Sequence, residues 1–222
     1  MSETVIDDII EKEEFKLKNW QLFLFIILLV LIITLINDKI ILTREVYGII
    51  LADKIDSNRI DDYYEMIKRF SLYVYLALPL LTWLKITFIA LLLQTPLMLK
   101  SIEVSFKEVF RISMLASLSY QLLGIIQLIV LLFTPKQNYT NGLLTFIPGS
   151  VTNLISKEAY SPVAYSFLNN INVFEILWIL IVFFGIAKLK KTTMQDSFIL
   201  AFSLWLSLTI LQVGLVLYFN KV

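Results

Sequence analysis

ISMLASLSYQLLGIIQLIVLLF, residues Ile112–Phe133, runs 22 residues without a charge, and SFILAFSLWLSLTILQVGLVLYF, Ser197–Phe219, runs 23. A helix that crosses the hydrocarbon of a bilayer needs about 20 mostly apolar residues, each rising about 1.5 Å. Three weaker stretches stand around these two. Trp20–Ile36 has 17 uncharged residues with Trp20 at its interface end. Ser71–Leu93 is interrupted by Pro79 and Lys85 and closed by Gln94-Thr95-Pro96. Ile171–Ala187 runs into Lys188, Lys190 and Lys191. A chain of 222 residues has no soluble core that could hide so many apolar helices, so lipid must cover them. The pattern predicts an all-α, polytopic integral membrane bundle. It has five transmembrane helices (20–36, 71–93, 112–133, 171–187 and 197–219) and short interfacial helices. One membrane domain, 20–219, follows an acidic juxtamembrane tail, 1–19.

Composition agrees. The chain is 58% hydrophobic with a mean hydropathy of +0.79. Its net charge of +1 gives no basis for a nucleic-acid partner. It contains neither Cys nor His, which removes disulfides, thiol nucleophiles, Ser-His pairs and the usual zinc ligands. None of its six glycines forms a phosphate-cradling loop. No catalytic residue, metal or cofactor is assigned. Nothing at the N-terminus resembles a cleavable signal, so the first span is expected to serve as its own insertion signal.

The polar segments carry local signals. In the tail, Thr4 and Asp7 resemble a capping box, and Val5, Ile6, Ile9 and Ile10 sit at helical spacing. In the loop 37–70, Asn58 is expected to cap a surface helix, with Asp61 and Asp62 in its first turn and Lys68 and Arg69 in its last. Ile60, Tyr64, Ile67 and Phe70 would rest on the membrane. The run Asp53–Asn58 lacks the Gly and closing Glu of an EF-hand and is read as a solvated loop. Ser105 and Glu108 form a good capping box for the third span. Between Thr134 and Asn170, turn formers separate Leu143–Ile147 and Val163–Leu168. Both are too short to cross, and are expected to lie at the interface or dip in beside the bundle.

Lys85 and Glu175 are the charges well inside spans, and a charge at the bilayer centre costs about 3 kcal/mol or more. With the N-terminus inside, their backbones differ in depth by roughly 11 Å, which disfavours a direct pair. Two readings stay open: a polar cavity containing both, or a snorkelling Lys85 and an interfacial Glu175. Gln121 and Gln127 complete the candidate polar path. Ser113, Ser117 and Gly124 on the third span, and Ser203, Ser207 and Gly214 on the fifth, are read as close-packing positions between helices. Trp83, Trp178 and Trp205 are read as packing residues.

Two stretches carry a family likeness. Ser105-Phe106-Lys107-Glu108-Val109-Phe110-Arg111 opens the third span. Ile171-Asn172-Val173-Phe174-Glu175-Ile176-Leu177-Trp178 opens the fourth and runs to Gly185-Ile186 and a short basic loop. Across about residues 70–215 the chain resembles the Yip family, five-span membrane proteins named for eukaryotic members that interact with Rab-type GTPases. The resemblance implies a cytosolic N-terminus and a non-catalytic role in membrane organisation or trafficking. The chain departs from the family at Asn172, where Asp is frequent, and in its short tail. Its Ile/Leu/Lys-rich composition points to a bacterial member of the cell membrane. The expected partners are the lipid bilayer and other membrane or cytosolic proteins. The competing expectation is a small transporter or permease subunit using Lys85, Glu175, Gln121 and Gln127.

Overall fold

A computed structural model describes residues 17–52, 56–156 and 159–219. The readings of the tail up to Lys16, and of Asp53 to Ile55, lie outside these residues. The described chain is helical, and its one β-type pairing is an isolated antiparallel bridge between Ser150 and Asn172. Helix α1 spans Asn19–Ile36 and continues through a π turn, Asn37–Ile41; α2 is Arg44–Leu51. The long α3 is Ser57–Leu99 and α4 is Phe106–Phe133. Short pieces follow, α5 (Asn141–Leu144) and α6 (Pro162–Asn169), and then α7 (Val173–Lys188) and α8 (Met194–Phe219). Four of these helices, Asn19–Ile41, Arg59–Leu99, Phe106–Phe133 and Met194–Tyr218, are long and apolar enough to cross a membrane.

The structure corrects the second span. The expected surface helix and the span behind it are one helix of 43 residues, with Asp56, not Asn58, at the N-cap position. Nothing breaks it at the junction: Ser71 Oγ donates back to the Lys68 carbonyl at 2.7 Å, within the turn. Pro79 and Pro96 lie inside the helix, which ends at Leu99 rather than at Pro96. Ser101, at φ 56°, then turns the chain. Of the expected apolar stripe, Ile60 is buried and Ile67 half-buried, and Tyr64 packs on α2, where Tyr47 meets Tyr63 and Tyr64 edge-on at 6.2 and 5.7 Å. Phe70 is the exposed member of that stripe.

Helix α4 is the hub, packed against α1, α3 and α7, while α8 packs against α7. It starts as its sequence predicts. Ser105 Oγ accepts from the Glu108 N–H at 3.3 Å, and Glu108 Oε2 accepts from the Ser105 N–H at 2.9 Å. Its small buried face lets neighbours come close. Ser113 and Ser117 are buried and return their hydroxyls to the Val109 and Met114 carbonyls. Gly124 receives Ile33 of α1, whose side chain is 3.4 Å from where a Cβ would stand. The main core joins Ile89, Leu93 and Leu97 of α3, Val109 and Ile112 of α4, Trp178 and Val182 of α7, and Leu204 and Trp205 of α8. Trp178 and Trp205 are buried as expected of packing residues, whereas Trp83 is 44% exposed on the outer face of α3. Ser203, Ser207 and Gly214 of α8 are exposed; Ser207 Oγ donates to the Ser203 carbonyl one turn back, and a Cβ added at Gly214 would have no atom within 4 Å.

Side-chain contacts sort the connections into two ends. At one end, Arg111 donates to the Leu17 carbonyl, Lys100 pairs with Asp196, and Lys191 donates to the Glu103 carbonyl. At the other, Arg44 forms a bidentate pair with exposed Asp61, which raises the guanidinium pKa by hydrogen bonding first and charge second. There too, Lys136 pairs with Glu45, and Lys68 donates to the side chain and carbonyl of Asp38, both at 2.6 Å. Tyr139 is buried at that end, its hydroxyl donating to the Leu131 carbonyl at 2.6 Å, and burial raises its pKa.

Gly185 offers a test of the hub. A Cβ there would stand 2.8 Å from Ile112 Cγ2. Gly185→Val should cost about 1–3 kcal/mol through overpacking between α7 and α4. The measurement is the melting temperature in detergent, with Gly214→Val, where no atom lies within 4 Å of the added Cβ, expected to match wild type.

Candidate functional site

The site begins with how α7 starts. Asn172 Oδ1 accepts from the backbone N–H groups of Phe174 and Glu175, both at 3.0 Å, and so caps the helix. Its Nδ2 donates to the Asn169 carbonyl at 3.0 Å. Asn169 in turn accepts on Oδ1 from Thr152 Oγ1 at 2.8 Å and Ser150 Oγ at 3.2 Å. Val151 N–H closes the knot on the Ile171 carbonyl at 3.0 Å. Ser150, Thr152, Asn170 and Asn172 are all buried, so this irregular backbone supplies its own partners at one end of the bundle. The Phe146 carbonyl, just before the knot, accepts from Gln127 Nε2 at 2.7 Å.

That cap leaves Glu175 in the first turn of α7, where the helix dipole favours a negative charge. Its carboxylate does not return to the cap. It reaches across to α4, where the Tyr120 hydroxyl donates to Oε2 at 3.2 Å. The indole N–H of Trp205 faces the same carboxylate without making a hydrogen bond. On the other side of Tyr120, the Lys85 ammonium sits over the ring, 4.4 Å from its centroid. One aromatic side chain thus serves both charges, the carboxylate through its hydroxyl and the ammonium through its π face. Among the described residues Lys85 and Glu175 form no ion pair within 4.0 Å.

Both charges line one cavity of about 800 Å³ between α3, α4, α8 and the start of α7. Tyr120, Asn170, Asn172 and Gln212 add polar groups, and Phe88, Leu123, Leu208, Leu211 and Leu215 form apolar walls. This volume is within the range of small-molecule sites, about 300–1,000 Å³. An apolar trough with one cation, one anion and amides at its polar part is complementary to an amphiphile.

The structure therefore brings Lys85 and Glu175 together and leaves the two glutamines out. Gln127 is committed to the Phe146 carbonyl and lines a separate cavity of about 160 Å³ with Ile33, Asn37 and Gly124. Gln121 is half-buried on α4 and lines neither space. The sequence reading missed Tyr120, Gln212 and the Asn170–Asn172 pair. The Asn172–Glu175 spacing was a helix-start signal, but Tyr120 had none, since one tyrosine in an apolar run looks like any other packing residue. Comparison with protein-family models, curated proteins and solved structures gives no match.

Asn172→Ala should lower stability by about 1–2 kcal/mol, because two helix N–H groups and the Asn169 carbonyl lose their partner. Asn172→Asp, which keeps the cap and loses the amide donor, should recover most of that difference in a thermal melt in detergent. Equal losses in the two variants would show that the cap is not the stabilising part.

Proposed function

We propose that the chain is a non-enzymatic, five-span protein of the cell membrane that organises membranes by holding a lipid-like amphiphile in the cavity between α3, α4, α7 and α8. The observation that carries this reading is the cavity itself: a charge pair shared by Tyr120, set in apolar walls within the hydrocarbon-crossing part of the bundle. The fifth span is α7. Its 16 residues cover about 24 Å, short of the roughly 30 Å of hydrocarbon, and the knot of Ser150–Thr152 with Asn169–Asn172 makes up the remaining depth. Because that knot satisfies its own polar groups, it is tolerated there. The Yip-type likeness, with its non-catalytic role, points the same way.

The N-terminus is cytoplasmic in this reading. The end holding Leu17 carries seven described Lys/Arg (18, 100, 107, 111, 188, 190 and 191) in short segments beside helix ends. The opposite end carries six described Lys/Arg (39, 44, 59, 68, 69 and 136), of which Lys39, Arg44, Lys68 and Lys136 are taken up by acids of the same end. The chain has no cysteine, so single introduced cysteines report orientation cleanly. A cysteine at exposed Asp56 should react with an impermeant maleimide on intact cells, and one at Lys190 only after permeabilisation. The reverse pattern would invert the orientation.

The test of function is mass spectrometry of lipid co-purified with the tagged protein. Wild type should retain one amphiphile in stoichiometric amount, and Lys85→Met and Glu175→Gln should each reduce it about tenfold. Equal retention in all three would sink the reading. A second reading, a small transporter or permease subunit, is favoured by the two charges occupying one cavity from different helices. It predicts solute flux in liposomes that Lys85→Met abolishes.

A further inference from the structure

A second basic feature lies at the opposite end of the molecule from the Asn172 knot. The start of α1 and the first turns of α4 enclose a cavity of about 630 Å³ lined by Leu17, Lys18, Asn19, Trp20, Lys107 and Arg111. We propose that it binds the phosphate headgroup of an anionic membrane lipid.

The argument is one of uncompensated charge held in place. Arg111 donates through Nη1 to the Leu17 carbonyl at 2.7 Å and to Asn19 Oδ1 at 2.9 Å. Asn19 Nδ2 donates to the Lys107 carbonyl at 3.3 Å. These contacts fix the guanidinium between two helices, yet both acceptors are neutral. Among the described residues, no carboxylate pairs with Arg111, Lys18 or Lys107. The acid closest in sequence, Glu108, is turned away, its Oε2 held by the N–H and Oγ of Ser105 at 2.9 and 2.7 Å. Other cations at this end are already engaged: Lys100 by Asp196 and Lys191 by the Glu103 carbonyl. A planar guanidinium flanked by two lysines is suited to a phosphate, which accepts several charge-assisted hydrogen bonds at once.

The source of the phosphate follows from depth. Trp20 is 62% exposed beside the cations, at the point where α1 enters hydrocarbon. Indole rings favour this headgroup level. Leu17, 38% exposed, adds an apolar contact. The end as a whole carries seven basic and three acidic described side chains, against six and six at the other. A lipid headgroup meets such a pocket from the side without leaving the bilayer, and basic pockets between spans bind anionic headgroups. The competitor is the acidic run Glu11, Glu13 and Glu14, which precedes the site in sequence.

The experiment titrates purified full-length protein, in neutral detergent, with short-chain phosphatidylglycerol, phosphatidylcholine of the same chain length, and inorganic phosphate. Phosphatidylglycerol should bind more tightly than phosphatidylcholine and weaken with salt. Lys18→Gln and Lys107→Gln, whose side chains form no ion pair among the described residues, should each weaken it about fivefold, and Arg69→Gln, exposed at the opposite end and outside both cavities, should leave it unchanged. Inorganic phosphate at millimolar concentration should not displace the lipid. Equal binding of the two lipids, or indifference to both lysine substitutions, would overturn the proposal. So would displacement by phosphate as effective as by the lipid, or binding that appears only after Glu11, Glu13 and Glu14 are changed to Gln.

Discussion

Hydrocarbon offers no hydrogen bonds, so every polar group placed in it must find a partner in the chain or lie against a cavity. The structure follows from that constraint at most polar positions, with Thr87 Oγ1 and the indole N–H groups of Trp178 and Trp205 as buried exceptions among the described residues. Serines on α4 bend back to their own helix carbonyls, which makes them small and effectively apolar toward their neighbours. The non-helical backbone between α4 and α7 is bound up by Ser150, Thr152, Asn169 and Asn172 before it reaches the bundle. Gln127 crosses to the Phe146 carbonyl and ties this knot to α4. Lys85 and Glu175, which have no local backbone group to satisfy them, converge on Tyr120.

Packing and cavity are two results of the same arrangement. Along Ile112, Ser113, Ala116 and Ser117, small and medium residues bring α4 against its neighbours, and Gly185 lets α7 approach until Ile112 fills the space of a missing side chain. Helix α8 packs on α7 more than on α3. The gap between α3 and α8 is the trough, and it opens where Tyr120, Glu175 and Gln212 can line it. The two ends differ in electrostatic character. Around α2 the charges cancel within the chain, whereas the end at Leu17 keeps basic side chains that no described acid neutralises.

Much of the fold was legible because apolar length is a local property. The run from Ile112 to Phe133 predicts α4, and Ser105 with Glu108 marks its start at the observed residue. Local signals failed where the decision belonged to neighbours. The charges of Lys68 and Arg69 suggested a helix end, yet α3 passes through them, and Asp38 takes up Lys68. Ser203, Ser207 and Gly214 had the spacing of a contact face, but the packing of α8 on α7 uses Ala201, Leu204 and Trp205 instead and turns the small residues outward. Gln121 and Gln127 had the polarity of a site, but a helix face alone does not say what stands opposite it.

What the sequence determined by itself is the solvent, the helical class and the short list of charges that lipid cannot tolerate unaided. Each of these depends only on residue type and spacing along one helix. What the tertiary structure decided is which of those charges meet. Lys85 and Glu175 are 90 residues apart, and no periodicity encodes their separation. Their common partner is a tyrosine made special only by the two helices on either side of it.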